Sequence, residues 1–252
     1  MNRKLAIYVT ALFITTSLSC CKESSGWSGM DFVKVQDSIK SPYDIAIDME
    51  FANGKNPEQQ KIANAINAKL QDIFLEKVDT TNLPSPIKEY IGKLCETYKR
   101  EDEEFHLDRS DHLSGHFEYG LNGIINYILT EDYYGGGAHP TTITNILCFN
   151  TETGEQITTD RLVMDSCRHK LIDKLTMRLM ENVGVETMDS LRKKGYLDMT
   201  DMFISDNFKL GTDSVSFLYN PYDIAPYALG SSTISFAYEE LKGIINFSNG
   251  NE

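Results

Sequence analysis

The 252-residue chain predicts an α+β fold: an antiparallel sheet packed by amphipathic helices, in two closely associated α/β parts. Three observations lead there. Segments of period two recur in the early, middle and late parts of the chain, segments of helical three-four spacing stand between them, and the two kinds never settle into regular βαβ alternation. With 41% of residues hydrophobic and 24% charged, the chain holds the material of a real core for one large or two small domains. The organisation reads as a leader over 1–20, a spacer over 21–40, an N-terminal strand–helix–helix part over 41–109 and a C-terminal part over 110–247.

Each element has its own signal. The spacer opens polar and Ser/Gly-rich and ends by entering the first strand region. From Tyr43 to Phe51 every odd position is large and apolar, which marks a half-buried strand. Asn53-Gly54 breaks it, and Asn56-Pro57 opens a helix with Ile62, Ile66, Leu70, Ile73 and Phe74 on one face. A second helix follows Ser85-Pro86 with Ile87, Tyr90, Ile91, Leu94 and Tyr98, and the acidic run Glu101 to Glu104 is expected to end it in a solvated loop. Phe117 to Leu129 reads as one long alternating segment, continued after three glycines by Ile143, Leu147 and Phe149. A turn at Thr151–Gly154 precedes a helical region capped by Thr159 or Asp160, whose best stretch carries Leu171, Ile172, Leu175 and Leu179, and a shorter helix is expected around 187–194. Phe203–Leu210 and Val215–Tyr219 form a hairpin; after the loop Asn220–Gly230 come a strand through Ile234 and Phe236 and a short helix through Leu241 and Ile245.

The first twenty residues place Arg3 and Lys4 before an apolar run that ends in small residues and cysteine, the anatomy of an export signal. The small-residue stretch running into Cys is similar to bacterial lipoprotein signals, which implies lipidation at Cys20, with Cys21 as the alternative. After it no apolar run reaches the ~20 residues that span a bilayer. The chain is therefore expected to meet the membrane only through a lipid anchor, in the bacterial cell envelope, on its periplasmic or its surface face. Cys95, Cys148 and Cys167 show no metal spacing and are expected to be free buried thiols. A formal net charge of −13 argues against nucleic acid as a partner and suits a cationic one.

The stretch Tyr133-Tyr134-Gly135-Gly136-Gly137-Ala138-His139-Pro140 is the least ordinary of the chain. A phosphate loop or dinucleotide fingerprint leads from strand to helix, and the first carries a lysine; here glycines join strand to strand with no lysine after them. What remains is a hairpin connection with backbone positions where a side chain would clash. His139 has no adjacent Ser or Cys nucleophile, and His106, His112 and His116 form at most a loose patch near the acidic segment, so no catalytic residue, metal set or cofactor is expected.

The stretch from Tyr133 to Thr158, followed by a helix, by Phe217-Leu-Tyr-Asn-Pro-Tyr-Asp-Ile-Ala-Pro-Tyr-Ala-Leu-Gly230 and by a final Ile-Ser-Phe-Ala-Tyr-Glu-Glu-Leu, resembles the RsiV-type C-terminal domain, a bacterial family of unknown function, over about residues 110 to 247. The resemblance implies ligand binding outside the cell: members include an anti-sigma factor that binds lysozyme and a relative attached to a peptidoglycan deacetylase. This chain lacks the deacetylase's Thr-Phe-Asp-Asp-Gly metal motif. The expected function is a non-catalytic, lipid-tethered binding module for lysozyme or another cationic envelope-attacking protein. Its ligand-binding candidates are Tyr133, Tyr134, Gly135, Gly136, Gly137, His139 and Pro140 on one loop and Tyr222, Pro226 and Tyr227 on a second loop close to it. The alternative is an enzyme acting on peptidoglycan or another envelope glycan, with His139, Glu131 and Asp132 as its groups.

Overall fold

The computed structural model describes residues 30–74, 85–105, 108–121 and 123–246. Strands β1 (Met30–Ile39) and β2 (Asp44–Gly54) pair antiparallel, and helices α1 (Pro57–Phe74) and α2 (Ser85–Phe105) carry the chain across to β3 (Ser110–Tyr119), which pairs parallel to β2. A parallel partner requires such a crossover. From there β4 (Ile124–Tyr134), β5 (Thr141–Asn150) and the two-residue β6 (Gln156–Ile157) add in antiparallel succession, so the six strands lie in sequence order. The mixed α+β class is as expected; the sheet is antiparallel except at the β2–β3 pair.

One face of this sheet is the first core. Ile45, Ile47, Met49 and Phe51 meet Ile66 and Leu70 of α1, Ile87 and Ile91 of α2, and Ile125, Tyr127 and Leu129 of β4, and none of these is more than 8% exposed. Each such side chain contributes roughly 1.5–3 kcal/mol on leaving water. Pro57 holds the first helical position and the Asn56 side chain accepts a bond from Gln59 N–H, so α1 begins where its sequence says. Helix α2 does not stop at the acidic run but continues to Phe105. Anchored by its apolar face, it extends through residues whose own helix propensity is fair.

The long alternating segment is two strands. Gly123, at φ +79°, turns the chain, and a Cβ on Gly120 would lie 2.0 Å from the Leu210 carbonyl oxygen. Phe117 pairs with Tyr127 and Gly115 with Leu129, so the odd positions of both strands keep to one face and the turn leaves the alternation intact. Residues 30–39, in the second half of the expected spacer, are β1, and the sheet crosses the 109/110 boundary through the β2–β3 pair.

The rest forms a second layer. A single-turn helix α3 (Thr159–Leu162), with Thr158 at its N-cap and the expected caps Thr159 and Asp160 inside its turn, and a 3₁₀ turn lead into α4 (Arg168–Val183), which ends at Gly184 in the left-handed region; α5 (Met188–Lys193) starts under a Thr187 cap. Strands β7 (Phe208–Leu210), β8 (Ser214–Tyr219) and β9 (Ser232–Ala237) make a three-stranded antiparallel sheet. Leu171, Leu175 and Leu179 of α4 pack on Phe217, Tyr219, Ile234 and Phe236 in a second core. Strand β7 is shorter than the expected 203–210, because Ser205 Oγ bonds Leu218 O and the Asn207 side chain leaves for β5.

Three asparagine amides join the layers by acting as extra peptide groups. Asn126 donates to Leu210 O and accepts from Leu210 N–H, both at 3.0 Å; Asn207 accepts from Ile146 N–H and donates to Thr144 O; Asn220 accepts from Thr144 N–H and donates to Thr144 O. These bonds satisfy backbone of β5 and β7 that the layered packing leaves without a strand partner. The leader, Cys20, Cys21 and His106 lie outside the described residues.

Candidate functional site

The two predicted loops meet. β4 and β5 hold the ends of the 135–140 turn, and the Asn220 clamp on Thr144 brings the Tyr222–Gly230 segment beside it. There the His139 ring stacks on Tyr227 with centroids 3.7 Å apart and planes 14° from parallel, and Tyr222 stacks on Tyr227 at 6.1 Å. Tyr227 Oη donates to the Pro140 carbonyl at 2.7 Å, and the same carbonyl lies 3.0 Å from His139 Nδ1. Each ring pair adds about 0.5–1.5 kcal/mol beyond burial. The result is a short aromatic ladder across two loops more than eighty residues apart, with Tyr222 63% exposed.

The three glycines differ in what they require. Gly136 has φ +83°, a backbone that side chains resist. A Cβ on Gly135 would lie 2.4 Å from Tyr133 Oη, whereas one on Gly137 meets open space. The clash expected of the stretch is therefore real at one glycine, the positive φ at another, and neither applies at the third. Tyr134 Oη donates to Gly137 O and folds over the turn. Tyr133 instead packs on the first core, 6.5 Å from Tyr98, so it supports the surface from beneath.

The Tyr222 loop is closed by bonds of its own. Tyr222 stands at φ +76°, with its N–H on Ala225 O, Asp223 N–H on Asn220 O, and Asn220 N–H on the Asp223 carboxylate at 2.7 Å. Such a backbone costs about 1–3 kcal/mol for a residue with a side chain, and persists only where the surroundings impose it. Against this loop lies a cleft of about 440 Å³ lined by Tyr222, Ile224, Pro226, Gly195, Asp198 and Met199, among others. Sequence reasoning passed over Met199. The signal available was a lone methionine in the polar run Asp198–Asp201, a place with no helical or strand period to bury it.

The enzyme candidates are dispersed. Asp132 accepts from Thr142 Oγ1, and Glu131 shares a sheet face with Leu129 and Tyr133, toward the helices. Burial, and then the charge of Asp111, raise the Glu131 carboxyl above its usual range. Asp111 is itself raised by burial, although Tyr98 Oη donates to its Oδ2 at 3.1 Å; its Oδ1 has no partner among the described residues. His112 lies 3.1 Å from Asp44 and His116 3.2 Å from Glu118, each with its own acid, and His169 is exposed. Among the described residues no group of three or more His, Cys, Asp or Glu is placed to hold a metal. Cys95, Cys148 and Cys167 are free as expected, but only Cys148 is buried, the other two being half-buried; burial pushes the Cys148 thiol up to about 12.

Residues 160–239 match the family described as a protein of unknown function, DUF3298. The matched segment holds Tyr222, Pro226 and Tyr227; the glycine turn lies before it. A crystal structure of a DUF3298 member from Bacteroides fragilis NCTC 9343 is similar over 86% of this chain and 93% of that one, with 22% identity and a TM-score of 0.74. A second, from Pseudomonas aeruginosa PAO1, is similar over 86% and 94%, with 13% identity and a TM-score of 0.58. At these identities the likeness shows the fold. Among curated proteins none matches.

Proposed function

We propose that this chain is a non-catalytic binding module of the bacterial envelope, with the His139–Tyr227–Tyr222 ladder as its recognition surface and a cationic envelope-attacking protein such as lysozyme as its partner. The observation that carries the reading is the convergence of two distant loops on one stacked, exposed aromatic surface. Amphipathic aromatic rings supply contact area at low entropic cost, and a −13 chain steers a basic partner toward them. Among the described residues no helix is long and apolar enough to cross a membrane, which fits a body held by a lipid on Cys20. The resemblance to the RsiV-type domain supports the same partner class.

Calorimetric titration of residues 22–252 with a c-type lysozyme at low and at physiological salt tests this. Saturable binding that survives physiological salt and weakens on Tyr227→Ala supports it. Absence of heat, or binding that disappears with salt, refutes it and reduces the charge to a matter of solubility.

A further inference from the structure

We infer that the cleft beneath Tyr222 receives an arginine side chain of the partner, giving the recognition surface one defined anchoring point; this rests on the reading of the chain as a binding module for a cationic protein. The cleft lies between the loop that follows α5 and the Tyr222–Pro226 loop, and its volume of about 440 Å³ falls in the ordinary range of binding clefts. Exposed apolar surface gathers there. Of the seven large hydrophobic side chains exposed among the described residues, Met199 at 95% and Tyr222 at 63% line the cleft, and Leu229 lies against Gly195.

Its walls are fixed from both sides. Leu197, at φ +53°, donates its N–H to Ile224 O at 2.8 Å, and Tyr222 at φ +76° stands opposite. One side-chain-bearing residue in the left-handed region thus stands in each of the two loops, and the Leu197–Ile224 bond ties those loops together beside the cleft.

The lining chemistry selects the occupant. Met199, Ile224, Ala225 and Pro226 are apolar, Tyr222 offers an aromatic ring, Thr200 spends its hydroxyl on Asp201 O, and Asp198 is the charged group of the lining. An arginine satisfies all three: its methylenes cover the apolar wall, its planar head lies over the phenol ring, and its donors meet the carboxylate. A purely apolar side chain would leave Asp198, which is exposed at the cleft, without an ionic partner. Arg192 and Lys193 of α5 do not line the cleft, and Arg192 Nε is turned to Leu197 O.

The test uses a chain lacking residues 1–21, which keeps every described residue, with methyl-labelled methionine and two probes, N-acetyl-arginine amide and its neutral isostere N-acetyl-citrulline amide. The Met199 methyl signal is expected to shift saturably with the arginine probe, and the citrulline probe to bind about tenfold more weakly. Asp198→Asn should narrow that difference to about twofold, with the other methionine signals unmoved. An unmoved Met199 signal, or equal binding of both probes, overturns the inference. A cationic protein that binds wild type and Asp198→Asn equally refutes the cleft and leaves the binding module standing. Arginine-selective seating with no cationic protein bound supports the cleft and refutes the partner class.

Discussion

Asn126 offers the sharpest test of how the two layers are joined. It is fully buried on β4, and its amide holds both the N–H and the carbonyl of Leu210, itself 3% exposed, at 3.0 Å each. It also accepts the Cys148 thiol at 3.1 Å. Asn126→Ala removes these three bonds, and the loss of the two to Leu210 leaves two buried backbone groups of β7 without the partner they have in the wild type. At roughly 1–3 kcal/mol for each orphaned group, the loss is about 4 kcal/mol, a large share of the stability of an ordinary domain. The assay is urea unfolding of residues 22–252, with Asn182→Ala on the exposed side of α4 as the control, expected within about 0.5 kcal/mol of wild type. A loss below about 1 kcal/mol for Asn126→Ala would mean that apolar contact alone docks the sheets, and would refute the role given to the amide bridges.

Gly115→Ala should destabilise by at least about 2 kcal/mol, since its Cβ would lie 2.1 Å from the buried Tyr127 Oη, whereas Gly137→Ala should stay within about 0.5 kcal/mol; thermal unfolding of the pair checks both. Cys148 should resist a thiol reagent in the native protein and react once unfolded, because burial raises its pKa and closes access; native labelling at Cys148 by mass spectrometry would contradict the structure. Burial holds Asp111 above its unfolded value, so the native state binds the extra proton: stability is favoured below the usual carboxylate range, near pH 4, and is lost as pH rises through the raised value. Asp111→Asn keeps an acceptor for Tyr98 and should raise the melting temperature at pH 7 relative to pH 4; an unchanged slope would show that the group is not penalised. His139→Ala should lower stability by about 1 kcal/mol through loss of its ring stack, and a variant that stays fully stable but loses hydrolysis of an envelope glycan would move the chain to the enzyme class.

Much of this was legible in the chain because it is local. The alternation from Tyr43 to Phe51 forced one face inward and Asn56-Pro57 started α1, since both depend on dihedral preference and side-chain direction within a few residues. The 135–140 turn and the aromatic 220–230 loop were visible as motifs for the same reason. The length of α2 was not: its apolar face is held in the first core as far as Tyr98, and the helix runs on through the acidic residues to Phe105. The split at Gly120–Gly123 stayed hidden because pairing through the turn preserved parity.

The sequence by itself determined the α+β class, the buried faces of the strands and helices, the residues of the two loops and the acidity of the surface. Tertiary structure alone decided that His139, Tyr227 and Tyr222 form one ladder, that Tyr133 turns inward to the core, and that Asn126, Asn207 and Asn220 clamp one sheet to another. It also opened the cleft at Met199. These are meetings of groups roughly sixty to ninety residues apart for the ladder and the clamps. Local preference carries no information about such contacts; they exist because two cores packed back to back must satisfy every backbone group they bury.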